Sequence, residues 1–283
     1  MKTRLIATAA LATAAFALTA CGSGGGTGSG DQPLTVVDGT LTVGLSPDFP
    51  PMEYLDEESN ELVGADVELI TEAAKRMDLE VKFEHQKFDQ LINSIRTDRV
   101  DVTFSGMTDT LERQETIDFV DYYNSAGRFY VLSANKGKYT QDTDVCGTSV
   151  AVSTKTDYYP ALQKFSAEKC EAAGKEAVKI VGADSGAAAR LQLDQKRADL
   201  AVQGRENLVY FEQKDAGKYE VVLGNLNEAP FGAGVRKGNT ALAEKLQQAL
   251  QGMHEDGTME QILGKHGLED GLRLPEINSV KAE

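Results

Sequence analysis

One short pattern occurs twice in this chain, and it limits the fold more than any other feature. R-V-D-V-T-F-S-G at 99–106 returns as R-A-D-L-A-V-Q-G at 197–204. In each copy a basic residue stands two places before Asp, an apolar run follows, and Gly comes five places after the Asp. Each copy also follows an amphipathic helical pattern. The reading is two similar α/β lobes, each ending a strand at a Gly-containing turn. In open α/β sheets the carboxyl ends of strands line the ligand crevice. Two such ends facing each other make a cleft between lobes. The alternative is a chance match between two buried strands, since short motifs recur by accident.

Around the repeat, strand and helix patterns alternate. Leu41–Leu45 reads as a strand, and Ser46–Glu53 as a loop holding three prolines and Phe49. Val67, Ile70, Ala74 and Met77 share one helical face. Glu80–Phe83 alternates as a strand does, and Phe88, Leu91, Ile92 and Ile95 fall at i, i+3, i+4, i+7. Further strands are expected at Phe129–Leu132, Ser149–Val152, Val178–Val181, Asp199–Val202, Tyr219–Leu223 and Phe231–Val235. Helices are expected up to about Ala173, near Ala187–Leu193, and along Leu242, Leu246, Ala249, Leu250 and Met253, with a short one near Met259–Leu263. Such alternation means a mostly parallel sheet with helices on its faces.

The stretch from Asp101 to Arg113 is the first candidate site. Val102–Phe104 reads as the end of a buried strand, broken at Gly106. Thr108, Asp109 and Thr110 offer capping side chains, and Asp109 with Glu112 has capping-box spacing. A helix start presents unpaired N–H groups, and Arg113 adds a planar fork of donors in the same turn. The sum suits a carboxylate. The competing reading is a surface helix whose Arg113 pairs with Glu112 or Asp109.

The amino terminus reads as a targeting segment (1–20). Lys2 and Arg4 precede an apolar, Ala-rich run from Leu5 to Leu18. L-T-A-C-G at 18–22 resembles the lipobox of bacterial lipoproteins, which makes Cys21 the lipidated first residue of the mature chain. An ordinary secretory signal with a chance Cys is the alternative. Residues 21–33 form a Gly/Ser-rich tether, able to hold a body near a membrane without inserting it. No later apolar run reaches spanning length. An exported chain lives where disulfides persist. Cys146 and Cys170 are the only remaining pair, so they are expected to bridge, stabilising by roughly 2–4 kcal/mol. The formal charge is −15, or −17 without Lys2 and Arg4. That disfavours nucleic acid and anionic lipid as partners. Two Cys without nearby His do not make a zinc site, and His85, His254 and His266 are scattered. No P-loop or nucleophile elbow occurs, and no cofactor or metal is expected.

Several ordered motifs together resemble a family. They are G-L-S-P-D-F-P-P-M-E-Y (44–54), L-V-G-A-D-V-E-L (62–69), F-D-Q-L-I-N-S-I (88–95), R-V-D-V-T-F-S-G-M-T-D-T-L-E-R (99–113), D-F-V-D-Y-Y (118–123) and F-G-A-G-V-R-K-G-N (231–239). The chain is similar in these to the polar amino-acid group of bacterial extracellular solute-binding proteins, which serve ABC importers. The resemblance implies a two-lobed, periplasmic-binding-protein-like α/β fold of type II. Two crossovers, near Asn124–Ala126 and Glu228–Phe231, join lobe 1 (34–124 and 231–283) to lobe 2 (125–230) and close like a hinge. It implies a monomer anchored on the extracellular face of the membrane through Cys21. It also implies ABC permease subunits as partners and an amino acid or related small polar carboxylate as ligand.

Residue by residue, Arg113 matches the arginine that grips the ligand carboxylate. Gly106 and Thr108 match donors to the same group, and Ser105 matches an acceptor for the amine. Phe49 and Phe88 match pocket walls, with Ser46 and Met52 beside them; Phe49, Met52 and Phe88 could equally be core. Thr156 matches a helix-start residue that completes the carboxylate site, flanked by Ser153 and Tyr158. One departure stands out. The family's amine-holding carboxylate falls at Gly204, followed by Arg205 and Glu206. Glu206 swinging in, a water, or a ligand without an α-ammonium are the readings left open, and Arg205 or Lys155 could meet a second acidic group. A cleft enzyme resembling dehydratases of this fold, or a sensor for a membrane receptor, are the rival functions.

Overall fold

The structure is a computed structural model and describes residues 33–282. The expected leader, Cys21 and nearly all of the tether lie outside the described residues. In chain order the main elements are β1 (Thr40–Leu45), β2 (Asp48–Phe49), β3 (Glu53–Leu55), β4 (Leu62–Val63), α1 (Ala65–Arg76), β5 (Glu80–His85), α2 (Leu91–Arg96), β6 (Val102–Thr103), α3 (Leu111–Gln114) and β7 (Ile117–Leu132). They continue with β8 (Ser149–Ser153), α4 (Tyr158–Phe165), β9 (Lys179–Ala183), α5 (Gly186–Asp194), β10 (Leu200–Gly204), α6 (Arg205–Lys214), β11 (Tyr219–Arg236), α7 (Thr240–Glu255), α8 (Thr258–Lys265) and β12 (Leu272–Ile277).

The larger sheet runs β5-β1-β6-β11-β7-β10-β8-β9, with β12 beside β7. β1 pairs in parallel with β5 and β6, and β8 in parallel with β9 and β10. Each half is covered on both faces by helices, as parallel strands require. In the first half, Leu41, Val43, Leu69, Leu246 and Leu250 fill one core, while Leu91, Ile95, Ile117 and Phe119 fill another. In the second half the matching cores hold Val150, Val152, Leu162 and Leu200, and Ala151, Leu193, Ala201 and Phe211.

The repeated pattern performs one structural job twice. Asp101 donates its N–H to the Thr42 carbonyl (2.9 Å), and its carboxylate accepts from the Thr42 N–H (2.8 Å). Asp199 donates to the Ser149 carbonyl (2.8 Å), and its carboxylate accepts from the Ser149 N–H (2.9 Å). Each Asp thus clamps the first residues of the parallel strand beside it. The clamp fixes register where the short strands β6 and β10 join their sheets.

Three differences from the sequence reading have physical causes. Phe129–Leu132 is only the end of the sixteen-residue β7, and the strands expected at Tyr219 and Phe231 are one strand, the eighteen-residue β11. The two pair antiparallel from Ile117↔Arg236 to Leu132↔Tyr219, including Asn124↔Pro230, Ser125↔Ala229 and Ala126↔Glu228. The expected crossovers are therefore extended chain hydrogen-bonded to each other. Helix α6 begins directly after the Gly204 turn, where no helix was expected. Finally, α3 is a single turn capped by Thr110, whose Oγ1 accepts from the Arg113 N–H (3.2 Å). Asp109 instead accepts from the Gln114 amide and is buried. Such a short turn carries no anion-binding helix start. Cys146 and Cys170 are bridged, their Cα atoms 5.4 Å apart.

Candidate functional site

A cavity of about 420 Å³ lies where the carboxyl ends of the repeated strands meet. From the first half it is lined by Ser46, Phe49, Glu53, Phe88, Ser105, Gly106 and Thr108; from the second by Ser153, Thr156, Asp157, Tyr158, Val202 and Gln203. The strand ends of both repeat copies, Ser105-Gly106 and Val202-Gln203, therefore face one space. Phe49 reaches it from the proline-rich loop, which leaves the ring half-buried. That ring explains Gly106. At φ +49° the position favours glycine, and an added Cβ would lie 2.6 Å from the Phe49 ring.

Acids outnumber bases on the lining. Asp48, Glu53, Asp89, Asp157 and Asp184 face Lys87 and Lys155, and Lys155 is paired with Asp89 at 3.7 Å. Glu53 is the least ordinary of these. It is fully buried, one oxygen accepts from the Ser105 hydroxyl, and the other has no hydrogen-bond partner among the described residues. Asp66 lies behind it, accepting from the Gly106 N–H (2.9 Å) and the Tyr122 hydroxyl (2.8 Å). Burial and then the Asp66 charge push Glu53 well above the carboxylate range, and burial lifts Asp66 to about 7. The protonated Glu53 side chain faces the Asp66 carboxylate, so the two acids share a proton beside the cavity.

This network corrects two expectations. The Gly106 N–H is committed to Asp66, so it does not reach the cavity as a donor. Met52 is fully buried in the first-half core and lines nothing, because it packs between the loop and α1. Ser105 does line the cavity, but its hydroxyl also accepts from the Ser46 N–H (3.0 Å). Ser46 donates to Asp48 (2.9 Å). Ser153 accepts from the Lys155 N–H, and Thr156 donates to the Ser153 carbonyl.

Arg113 is not on the lining. It stands behind Thr108, its guanidinium donating to the Thr108 carbonyl (2.7 Å) and lying 5.7 Å from the centre of the Phe88 ring. Burial lowers its pKa, and among nearby carboxylates Asp157 opposes this most.

Gly204 and Arg205 are not on the lining either. Gly204 ends β10, and a Cβ there would lie 1.6 Å from Glu206 Oε1. The Glu206 carboxyl thus folds back into the space that a side chain at 204 would fill. It is fully buried, one oxygen accepting from the Ser125 hydroxyl (3.0 Å) and the other without a partner among the described residues. Burial raises it to about 7. Glu206 fills the space beside Gly204 but is not on the cavity lining. Arg205 turns away and lies 5.9 Å from the Tyr123 ring centre. Glu53, Asp157 and Gln203 were not singled out from the sequence. Glu53 follows a loop read for its aromatic and prolines, and Asp157 looks like an ordinary helix cap.

The sequence profile of the bacterial extracellular solute-binding proteins, family 3, matches residues 41–269. The arginine-binding protein ArgT of Corynebacterium glutamicum is 29% identical over 234 residues, covering 83% of this chain and 76% of that protein. The L-cystine-binding protein TcyA of Bacillus subtilis is 30% identical, covering 90% of this chain and 93% of the relative. Among solved structures, an ancestral arginine-binding protein bound to arginine superposes with a TM-score of 0.70 at 31% identity. That match covers 81% of this chain and 98% of the other.

Proposed function

Because the chain belongs to family 3 of the bacterial extracellular solute-binding proteins, we propose that it captures an amino acid with a cationic side chain and delivers it to an ABC permease. Capture is by hinge closure of two lobes, 34–124 with 231–283 and 125–230, without chemical turnover. The observation that carries this reading is one interlobe cavity whose lining holds five acids, Asp48, Glu53, Asp89, Asp157 and Asp184, against two lysines, one of them paired. Thr108, backed by Arg113, and Thr156 suit the ligand carboxylate. Phe49 and Phe88 wall the aliphatic part, and Ser105 and Glu53 suit the cationic end. The excess of acids on the lining favours arginine over glutamate, and two similar proteins carry the name arginine-binding. Cys21 supplies the lipid anchor, placing a monomer on the outer face of the membrane. No helix among the described residues is long and apolar enough to span one.

Calorimetry of the mature chain against single amino acids tests this. Arginine is expected to bind and glutamate not to. Arg113→Ala, which removes the support behind Thr108, should abolish binding, and Glu53→Gln should weaken arginine by roughly 10- to 100-fold, the scale for a hydrogen bond to a charged group. Unchanged arginine affinity in both variants overturns the site.

A further inference from the structure

Asp157 immediately precedes α4 with helical backbone angles (φ −64°, ψ −15°), and its side chain makes no capping bond. Its carboxylate leaves the helix and crosses the cleft. Oδ1 accepts from the Thr108 hydroxyl on the opposite lobe (2.8 Å), and Oδ2 accepts from the Asn227 amide (2.7 Å). The Asn227 amide is oriented for this, because its oxygen accepts from the Gly127 N–H (3.2 Å). The same Thr108 receives Arg113 on its carbonyl. A carboxylate of the protein's own therefore occupies the Thr108 hydroxyl, a donor that an incoming carboxylate would use.

We propose that Asp157 is an internal stand-in for the ligand carboxylate: it latches the lobes through Thr108 when no ligand is present, and the ligand's carboxylate must displace it. The arrangement makes the closed form accessible without ligand and sets a threshold for it. A ligand lacking a carboxylate leaves the latch in place; an amino acid breaks it. Asp157 is thus a specificity-determining residue, coupling release of the latch to the one group all amino acids share.

Two arms test this. In the first, small-angle scattering of the unliganded chain is compared with Asp157→Ala, Asp157→Asn and Thr108→Val. The wild type should match the closed dimensions, and the Asp157→Ala and Thr108→Val chains should expand. The Asn variant, which keeps the shape but loses the charge, should lie between. This arm needs no ligand and stands apart from the proposed function. In the second, which rests on that function, calorimetry compares arginine with agmatine, its decarboxylated counterpart. Asp157→Ala should tighten arginine by roughly tenfold, the scale of one charge-assisted hydrogen bond no longer displaced, and should not tighten agmatine. Scattering identical across the variants, or equal shifts for arginine and agmatine, overturns the latch. If neither compound binds any form, the ligand reading fails while the scattering arm still decides the latch.

Discussion

Glu206 and Gly204 compete for one small volume, and that competition is testable. An alanine at 204 would press on Glu206 Oε1, Glu206 Cδ (2.5 Å) and the Tyr158 hydroxyl (2.9 Å). The backbone there (φ −62°) accepts any residue, so the cost is steric alone. Gly204→Ala should destabilise by about 1–3 kcal/mol in denaturant melts, the range for overpacking. Glu206→Ala should relieve most of that cost in the double variant; additive losses would show that the two positions do not share space. Not every residue was equally legible. Phe49, Phe88 and Thr108 were assigned through the family resemblance, and each lines the cavity. Met52 was misplaced, because nothing in a P-P-M-E loop distinguishes a core methionine from a pocket wall. The orphan oxygens of Glu53 and Glu206 depend on neighbours far along the chain, which no local pattern encodes.

The elements followed periodicity where an apolar face is strong. α7 buries every residue that the spacing picks out, and α2 buries Leu91 and Ile95, with Ile92 half-buried and Phe88 in the turn before it. α6 was missed because Gly204 offers no capping side chain and its first turn begins Arg205-Glu206; only Leu208 and Phe211 mark its buried face. The repeated Asp was legible as a pattern, but its role as a strand clamp needed the pairing partners. That role gives a prediction. Asp199→Ala leaves the Ser149 N–H and hydroxyl without their partner. It should cost about 0.5–1.5 kcal/mol, since the partly exposed Ser149 groups can turn to water, read by chemical denaturation with hydrogen exchange. The loss of protection should fall on β8–β10 while β1, β5 and β6 keep theirs. Loss spread evenly over both halves would mean that the clamp is not local.

At the scale of the whole molecule, buried acids with raised pKa values set the response to pH, Glu53, Asp66, Asp121 and Glu206 foremost. Burial raises Asp66, Asp121 and Glu206 each to about 7, against roughly 4 in the unfolded chain. Raised acids favour the folded state while protonated, so their stabilisation is complete below about pH 4 and is lost as pH rises through 7. Melting temperature should therefore fall between pH 5 and pH 8. The triple variant Asp66→Asn, Asp121→Asn, Glu206→Gln should flatten that slope, and a wild-type melting temperature that rises over this interval would contradict the assignment. The two segments joining the lobes are laced together by backbone hydrogen bonds from Asn124 to Ala126 against Glu228 to Pro230. They behave as a two-ply strap rather than as two separate cords. A bend at one ply would be transmitted to the other, so closure of the proposed hinge is expected to follow a single arc.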